Sequence, residues 1–309
     1  MTQRSDAPAA PFQVGAALPT MARGWSRTTL VDWCDLIDDG PFSSISCGER
    51  ITFHNTEMLT TLGAAAGRCD RVRVLLNLAV GPWHHTALLA KQVATLDVIT
   101  DGRVELGLGV GGRPQDFEAL GVDWSYRHQR LDDQVAELRR WWAGDSVLDG
   151  APPLGPPPVQ PGGPPLYSGA MGPKATARAA RWADGISWFD LSLDATEVTA
   201  AAGRAADAWA DAGRKGRPHL KVACFVALGE GSTPTLRSFT ENYLAIFGRR
   251  FAADTAATAT LDDPSALTDA LLGLADTGVV DEVILVPATV DPRCGELMAN
   301  VVGALAPAR

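Results

Sequence analysis

The chain has 309 residues, 46% of them hydrophobic and 20% charged, with a formal net charge of -9. That apolar content supports a large folded core and excludes disorder throughout. An acidic balance repels phosphate backbones and anionic lipid surfaces, so no nucleic acid or membrane partner is expected; a small-molecule ligand is.

β-rich runs alternate with amphipathic stretches along the chain. Gln13 to Leu18 reads as a strand, followed by a helix over Thr28 to Asp38 that puts Leu30, Cys34 and Ile37 on one face. Ser43 to Cys47 precedes a helix over Thr56 to Gly67, Val72 to Ala79 precedes Thr86 to Val98, and Val104 to Leu108 precedes two helical pieces. The second piece repeats Leu131, Val135, Leu138 and Trp142 at helical spacing, a stripe suited to packing on a sheet, and stops at Ala143-Gly144. Residues 151–165 are dominated by Pro and Gly, which sustain neither a helix nor a central strand, so an extended surface segment, linker or lid, is expected.

The alternation resumes with Leu166 to Ser168 before a helix over Pro173 to Trp182, then Gly185 to Phe189 before an alanine-rich helix ending near Gly213. Leu220 to Leu228 and Val283 to Val286 are the last β-rich runs, and Pro264 is placed to open a helix toward Ala275. Eight βα units in one domain over residues 1–309 argue for a parallel (β/α)8 TIM barrel, with ligands at the C-terminal strand ends. An open doubly wound sheet is the alternative.

No apolar run approaches the roughly 20 residues that cross a bilayer. The opening MTQRSDAPAAPF lacks the apolar core of a signal peptide, so a cytoplasmic protein is expected. Cys34, Cys47, Cys69, Cys224 and Cys294 are scattered without the spacing of a zinc site or a disulfide framework; reduced, mostly buried thiols follow.

Two small-residue turns could carry a ligand. Gly107-Leu108-Gly109-Val110-Gly111-Gly112 leaves a strand and exposes amides to an anion or a flat ring, although it lacks the full dinucleotide pattern and continues into Arg113-Pro114. Ser168-Gly169-Ala170-Met171-Gly172-Pro173 leaves another strand and enters a helix, where unpaired amides could meet a phosphate. In both cases an ordinary turn is the competing explanation.

Glu49 and Arg50 follow the second strand and could hydrogen-bond a heterocycle or a substrate, a surface ion pair being the alternative. His84 and His85 follow the third strand; adjacent loop residues cannot easily share a metal, so no metal site is expected and a polar ligand contact by His84 is favoured. Trp25, Trp83, Trp188 and Phe189 lie near strand ends as candidate apolar walls. No GxSxG elbow, P-loop or HExxH helix is present, which weakens hydrolytic and phosphoryl-transfer readings.

The run Ala87 to Asp97, continuing through Asp101 to Gly109, resembles the signature of the bacterial luciferase-like monooxygenase family. The resemblance extends through Asp116 to Gly121, Arg127, the helix Leu131 to Trp142, and Ala179 to Gly185, covering about residues 10 to 190. It implies a barrel that binds reduced FMN or the deazaflavin F420 at its C-terminal face, usually as a homodimer. It further implies that amides of Gly109, Val110 and Gly111, and of Ser168, Gly169, Ala170 and Met171, hold the cofactor phosphate. A non-proline cis peptide under the ring is implied at Asn77-Leu78 or Leu78-Ala79.

Luciferases proper carry an arginine where this chain has Val110, so the phosphate is expected to rest on amides or on another basic residue such as Arg113. Thr86 replaces the usual proline before the third helix.

The activity implied is a monooxygenase using reduced FMN and oxygen on a small organic substrate, or F420-dependent hydride transfer, with a noncatalytic flavin-binding protein as a third possibility. Glu49, Arg50 and His84 are the candidate catalytic groups, with His84 a proton donor or hydrogen-bond partner. No nicotinamide module is visible in the sequence, so an external flavin or F420 reductase is the expected partner.

Overall fold

The alternation closes into a barrel of eight parallel strands in chain order, in a computed structural model that describes residues 12–305. The opening stretch read for a signal peptide lies, but for Phe12, outside the described residues. β1 (Gln13–Ala17) leads to α1 (Arg27–Asp39), β2 (Ser44–Cys47) to α2 (Met58–Ala66), and β3 (Arg73–Val80) through a 3-10 turn, Gly81–Trp83, to α3 (Thr86–Ile99). β4 (Val104–Gly109) leads to α4 (Pro114–Ala119) and α5 (Arg127–Trp142), β5 (Leu166–Gly169) to α6 (Pro173–Ala179), and β6 (Gly185–Phe189) to α7 (Ala195–Asp211). After β7 (His219–Val226) come α8 (Ser232–Leu244), α9 (Arg249–Ala256) and α10 (Pro264–Thr277); β8 (Glu282–Pro287) leads to α11 (Pro292–Leu305). Pairing of β1 with β8, Gln13 opposite Glu282, closes the cylinder and rules out the open sheet.

Each strand is covered inside by barrel side chains and outside by helices, which is why every residue of β4 is buried. On α1 the inward face is Thr29, Trp33, Cys34 and Ile37, with Leu30 only half-buried at its edge. Helix starts follow local chemistry: Ser26 accepts from the Thr29 N–H at 3.2 Å, and Asp263 accepts from Ser265 at 2.8 Å just ahead of Pro264. All five cysteines are free and buried.

The Pro/Gly segment 151–165 has no helix or strand, and it is tied down rather than loose. The Gln160 N–H and Nε2 donate to the buried Asp97 carboxylate at 3.0 and 2.8 Å, and Gly163 lies so close under the Trp142 ring that a Cβ there would sit 2.7 Å from Cδ2. It forms a strap across α3 and α5. The helix from Pro173 ends at Ala179 rather than at Trp182, the remaining residues closing a turn through the Ala183 N–H to Ala179 O, 2.8 Å.

Candidate active site

A cavity of about 430 Å³ opens at the C-terminal ends of the strands. β1 contributes Ala17, the loop after β2 contributes Glu49 and Arg50, and β3 contributes Asn77 and Leu78. Gly109 to Arg113 and Gly169 with Met171 form one side. Phe189, Phe225 and Val286 from β6, β7 and β8 form the other, under Tyr243, Leu244 and Phe247 from α8 and the turn after it.

The floor on the β3 side is irregular. Pairing of β3 with β4 slips between Leu76 and Ala79, and the Asn77-Leu78 peptide is cis, one of the two positions expected. Asn77 Oδ1 accepts from Ser187 Oγ across the barrel at 2.8 Å. The Leu78 side chain fills the space that side chains on β4 and β5 would occupy. A Cβ on Gly107 would sit 2.6 Å from Leu78 Cδ2, one on Gly109 3.4 Å from Cδ1, and one on Gly169 would collide with Cδ1. These three glycines therefore give Leu78 its seat, a packing role that the sequence patterns did not separate from phosphate binding.

Gly111 is different, because its φ of +73° is the left-handed conformation that favours glycine. Among the described residues, the N–H groups of Val110, Gly111, Gly112 and Met171 meet no backbone acceptor, which leaves them available to an anion. Ser168 and Ala170 do not line the cavity: both are buried, Ser168 in the ladder opposite Ile186. Of the second turn, Gly169 and Met171 face the ligand space.

Glu49 is a junction. Its Oε2 accepts from the Val80 N–H at 2.6 Å, at the end of the irregular strand, and its Oε1 lies 2.9 Å from His84 Nε2. His84 itself does not line the cavity and reaches it only through Glu49; its carbonyl accepts from Gln134 Nε2 at 2.9 Å. His85 is exposed at the start of α3.

Arg50 lies with its guanidinium carbon 3.5 Å from the Tyr243 ring centroid and donates from Nη2 to Tyr243 O at 3.0 Å. Burial pulls its guanidinium below the ordinary arginine value. Arg113 pairs with Asp116 at 3.0 Å and donates to Thr52 O at 3.1 Å. Burial alone would raise Asp116, but hydrogen bonds from Thr52 and the charge of Arg113 outweigh it and hold the carboxyl below its usual range.

Of the aromatic wall candidates, Trp83, Trp188 and Phe189 line the cavity, whereas Trp25 packs on the barrel core away from it. Tyr243, Leu244 and Phe247 escaped the sequence reading because they lie at the far end of α8 and in the turn after it, well beyond the Gly229-Glu230-Gly231 turn that follows β7. The unpartnered buried nitrogens of the wall, Arg50 Nη1, Trp83 Nε1 and Trp188 Nε1, are all donors. With the free amides, this donor set suits a ligand rich in carbonyl and phosphate oxygens, as FMN and F420 are.

The model of the luciferase-like monooxygenase family matches residues 9–283, well past the region where sequence motifs carried the resemblance. The chain is 24% identical over 180 residues to the oxygenase component of flavin-dependent trigonelline monooxygenase from Acinetobacter baylyi, covering 55% of this chain and 50% of that protein. It is 30% identical over 175 residues to F420-dependent glucose-6-phosphate dehydrogenase from Microbacterium testaceum, covering 50% of this chain and 51% of that protein. The match thus spans about half the length of each of these relatives. The crystal structure of monooxygenase RslO1 from Streptomyces bottropensis shares the fold, with a TM-score of 0.77 at 21% identity over 94% of this chain and 98% of that one. With a closed eight-stranded barrel and a family match over nearly its whole length, the chain belongs to the luciferase-like monooxygenase family, among relatives that include flavin-dependent monooxygenases and F420-dependent oxidoreductases.

Proposed function

We propose that the protein is an oxidoreductase that uses reduced FMN to oxygenate a small organic substrate in the mouth of the barrel. What supports this most is a single convergence: the Asn77-Leu78 irregularity, the Gly109 to Gly112 turn and the Gly169 to Met171 turn come from three different strands and line one cavity. When bound, the cofactor supplies the redox chemistry and the protein supplies binding and orientation.

In this reading the free amides of Val110 to Gly112 and Met171 hold the phosphate, and Leu78 supports the ring. Glu49 fixes the Val80 N–H behind the support and holds a proton between itself and His84. Phe189, Phe225 and Val286 form a wall without ionisable groups that keeps water from the reacting atoms.

F420-dependent hydride transfer is the second reading, favoured by Val110, which removes the basic group that luciferases proper set against the FMN phosphate, and by the F420-dependent relative. Anaerobic spectrophotometric titration with FMN, reduced FMN and F420 separates the two. Saturable binding of reduced FMN followed by oxygen uptake with substrate supports the first reading. F420 binding with substrate-dependent oxidation supports the second, and binding without turnover leaves a flavin-binding protein. Failure of all three to bind contradicts the proposal. A separate reductase supplying the reduced cofactor, and a homodimer, complete the proposal; light scattering tests the latter.

A further inference from the structure

Arg50 is a buried charge that its surroundings leave unmatched. It is 8% exposed and lies on the cavity wall. The carboxylates near it are engaged: Glu49 by the Val80 N–H and His84, Asp116 by Arg113 and the Thr52 N–H. Of the five N–H donors a guanidinium carries, one finds an acceptor among the described residues, Nη2 to Tyr243 O at 3.0 Å. Nη1 is buried without a partner.

The group cannot easily swing out to water, because its carbon lies 3.5 Å from the Tyr243 ring centroid and 4.8 Å from that of Phe53. Arg113, on the same cavity, lies 5.8 Å from the Phe53 centroid, so two guanidinium groups share one aromatic support. A buried arginine keeps its proton, and a buried charge is costly unless an opposite charge meets it. A fixed guanidinium plane with open donors suits an oxyanion, which it can grip through two parallel bonds.

We infer that Arg50, with Arg113 beside it, forms an oxyanion subsite in the barrel mouth for an acidic group, a carboxylate or a phosphate, of the substrate. The subsite goes beyond the redox reading and does not depend on which cofactor binds. In the proposed reading the cofactor phosphate rests on the amides of Val110 to Gly112 and Met171, so the anion met by Arg50 is an acidic group of the substrate.

The test titrates the full chain with inorganic phosphate, benzoate, riboflavin and FMN by isothermal calorimetry, with intrinsic tryptophan fluorescence, to which Trp83 and Trp188 in the cavity wall contribute, as a second reading. Saturable binding of phosphate or benzoate is expected, weakened roughly 10-fold or more in Arg50→Gln, as loss of a charged hydrogen bond implies. Arg50→Lys, which keeps the charge but not the fork, should fall between. A preference for FMN over riboflavin that vanishes in Arg50→Gln gives Arg50 to the cofactor phosphate and overturns the substrate subsite. A preserved preference with lost benzoate binding assigns a substrate carboxylate.

Both variants should keep the far-UV circular dichroism of the parent, and if Arg50→Gln does not fold, Arg50→Lys carries the comparison. Anion binding that is absent in the parent, or equal in parent and variants, overturns the subsite and leaves Arg50 as a tie between α8 and the loop after β2. Arg50-dependent phosphate binding in a protein that binds neither FMN nor F420 keeps the subsite and removes the redox reading.

Discussion

His84 and Glu49 show that of two hydrogen-bonded residues beside a site only one need line it. Both stood out in the sequence as polar groups after strands, yet only Glu49 lines the cavity, and the 2.9 Å contact between them emerges from the packing of the β3 end against the loop after β2. His84→Ala is therefore expected to lower turnover by roughly 100-fold, the weaker end of what a lost general acid or base costs, while cofactor affinity changes little. Unchanged kcat would reject the role. Glycine carries a second residue-scale expectation: Gly169→Ala should destabilise by about 1–3 kcal/mol because its methyl group would strike Leu78. Gly172→Ala, which has open space around it and loses only a modest helix cap, is the control and should move the denaturation midpoint less than Gly169→Ala does. The glycine pattern was legible in the sequence, but the reason for Gly107, Gly109 and Gly169 was not, since Leu78 lies 29 and 31 positions before the two glycines of β4 and 91 before that of β5.

Among the strands, the opposite end of the barrel holds an ionic network that no single segment announces. Lys221 on β7, fully buried, bonds Glu282 on β8 and lies 3.0 Å from Glu105 on β4, while Arg73 on β3 pairs with Glu282 at 2.7 Å. In sequence these four are separate charges at or near strand starts that no motif marks, and closure of the cylinder is what brings them together. Burial would raise the Glu282 carboxyl, but the charges of Lys221 and Arg73 outweigh it and hold the pKa down to about 2 from its ordinary 4.5. A depressed carboxylate stabilises the fold fully above pH 4.5, and that contribution is lost as pH falls from there toward 2. Urea unfolding at pH 7 and at pH 3 should show the loss. Glu282→Gln, which leaves Lys221 and Arg73 to share the one carboxylate of Glu105, should cost about 3 kcal/mol at pH 7 and flatten the acid dependence; an unaltered pH profile would contradict the assignment.

For the molecule as a whole, the rhythm of strands and helices was readable because each βα unit buries its own periodic face, as the Leu131, Val135 and Leu138 stripe of α5 does. The segment after β7 was less legible: α8 carries an apolar stripe of Leu236, Phe239 and Tyr243, but nothing local says that it places Tyr243, Leu244 and, in the turn after it, Phe247 over the cavity, a long-range result. Among the described residues no helix is long and apolar enough to cross a membrane. The central claim concerns the barrel mouth, and a crystal structure of the protein grown anaerobically with reduced FMN or F420 addresses it directly. Density for the ring over Leu78, with its phosphate on the amides of Val110 to Gly112 and Met171, is the predicted result. A cofactor lodged outside this cavity, or with its phosphate turned away from both turns, would contradict it.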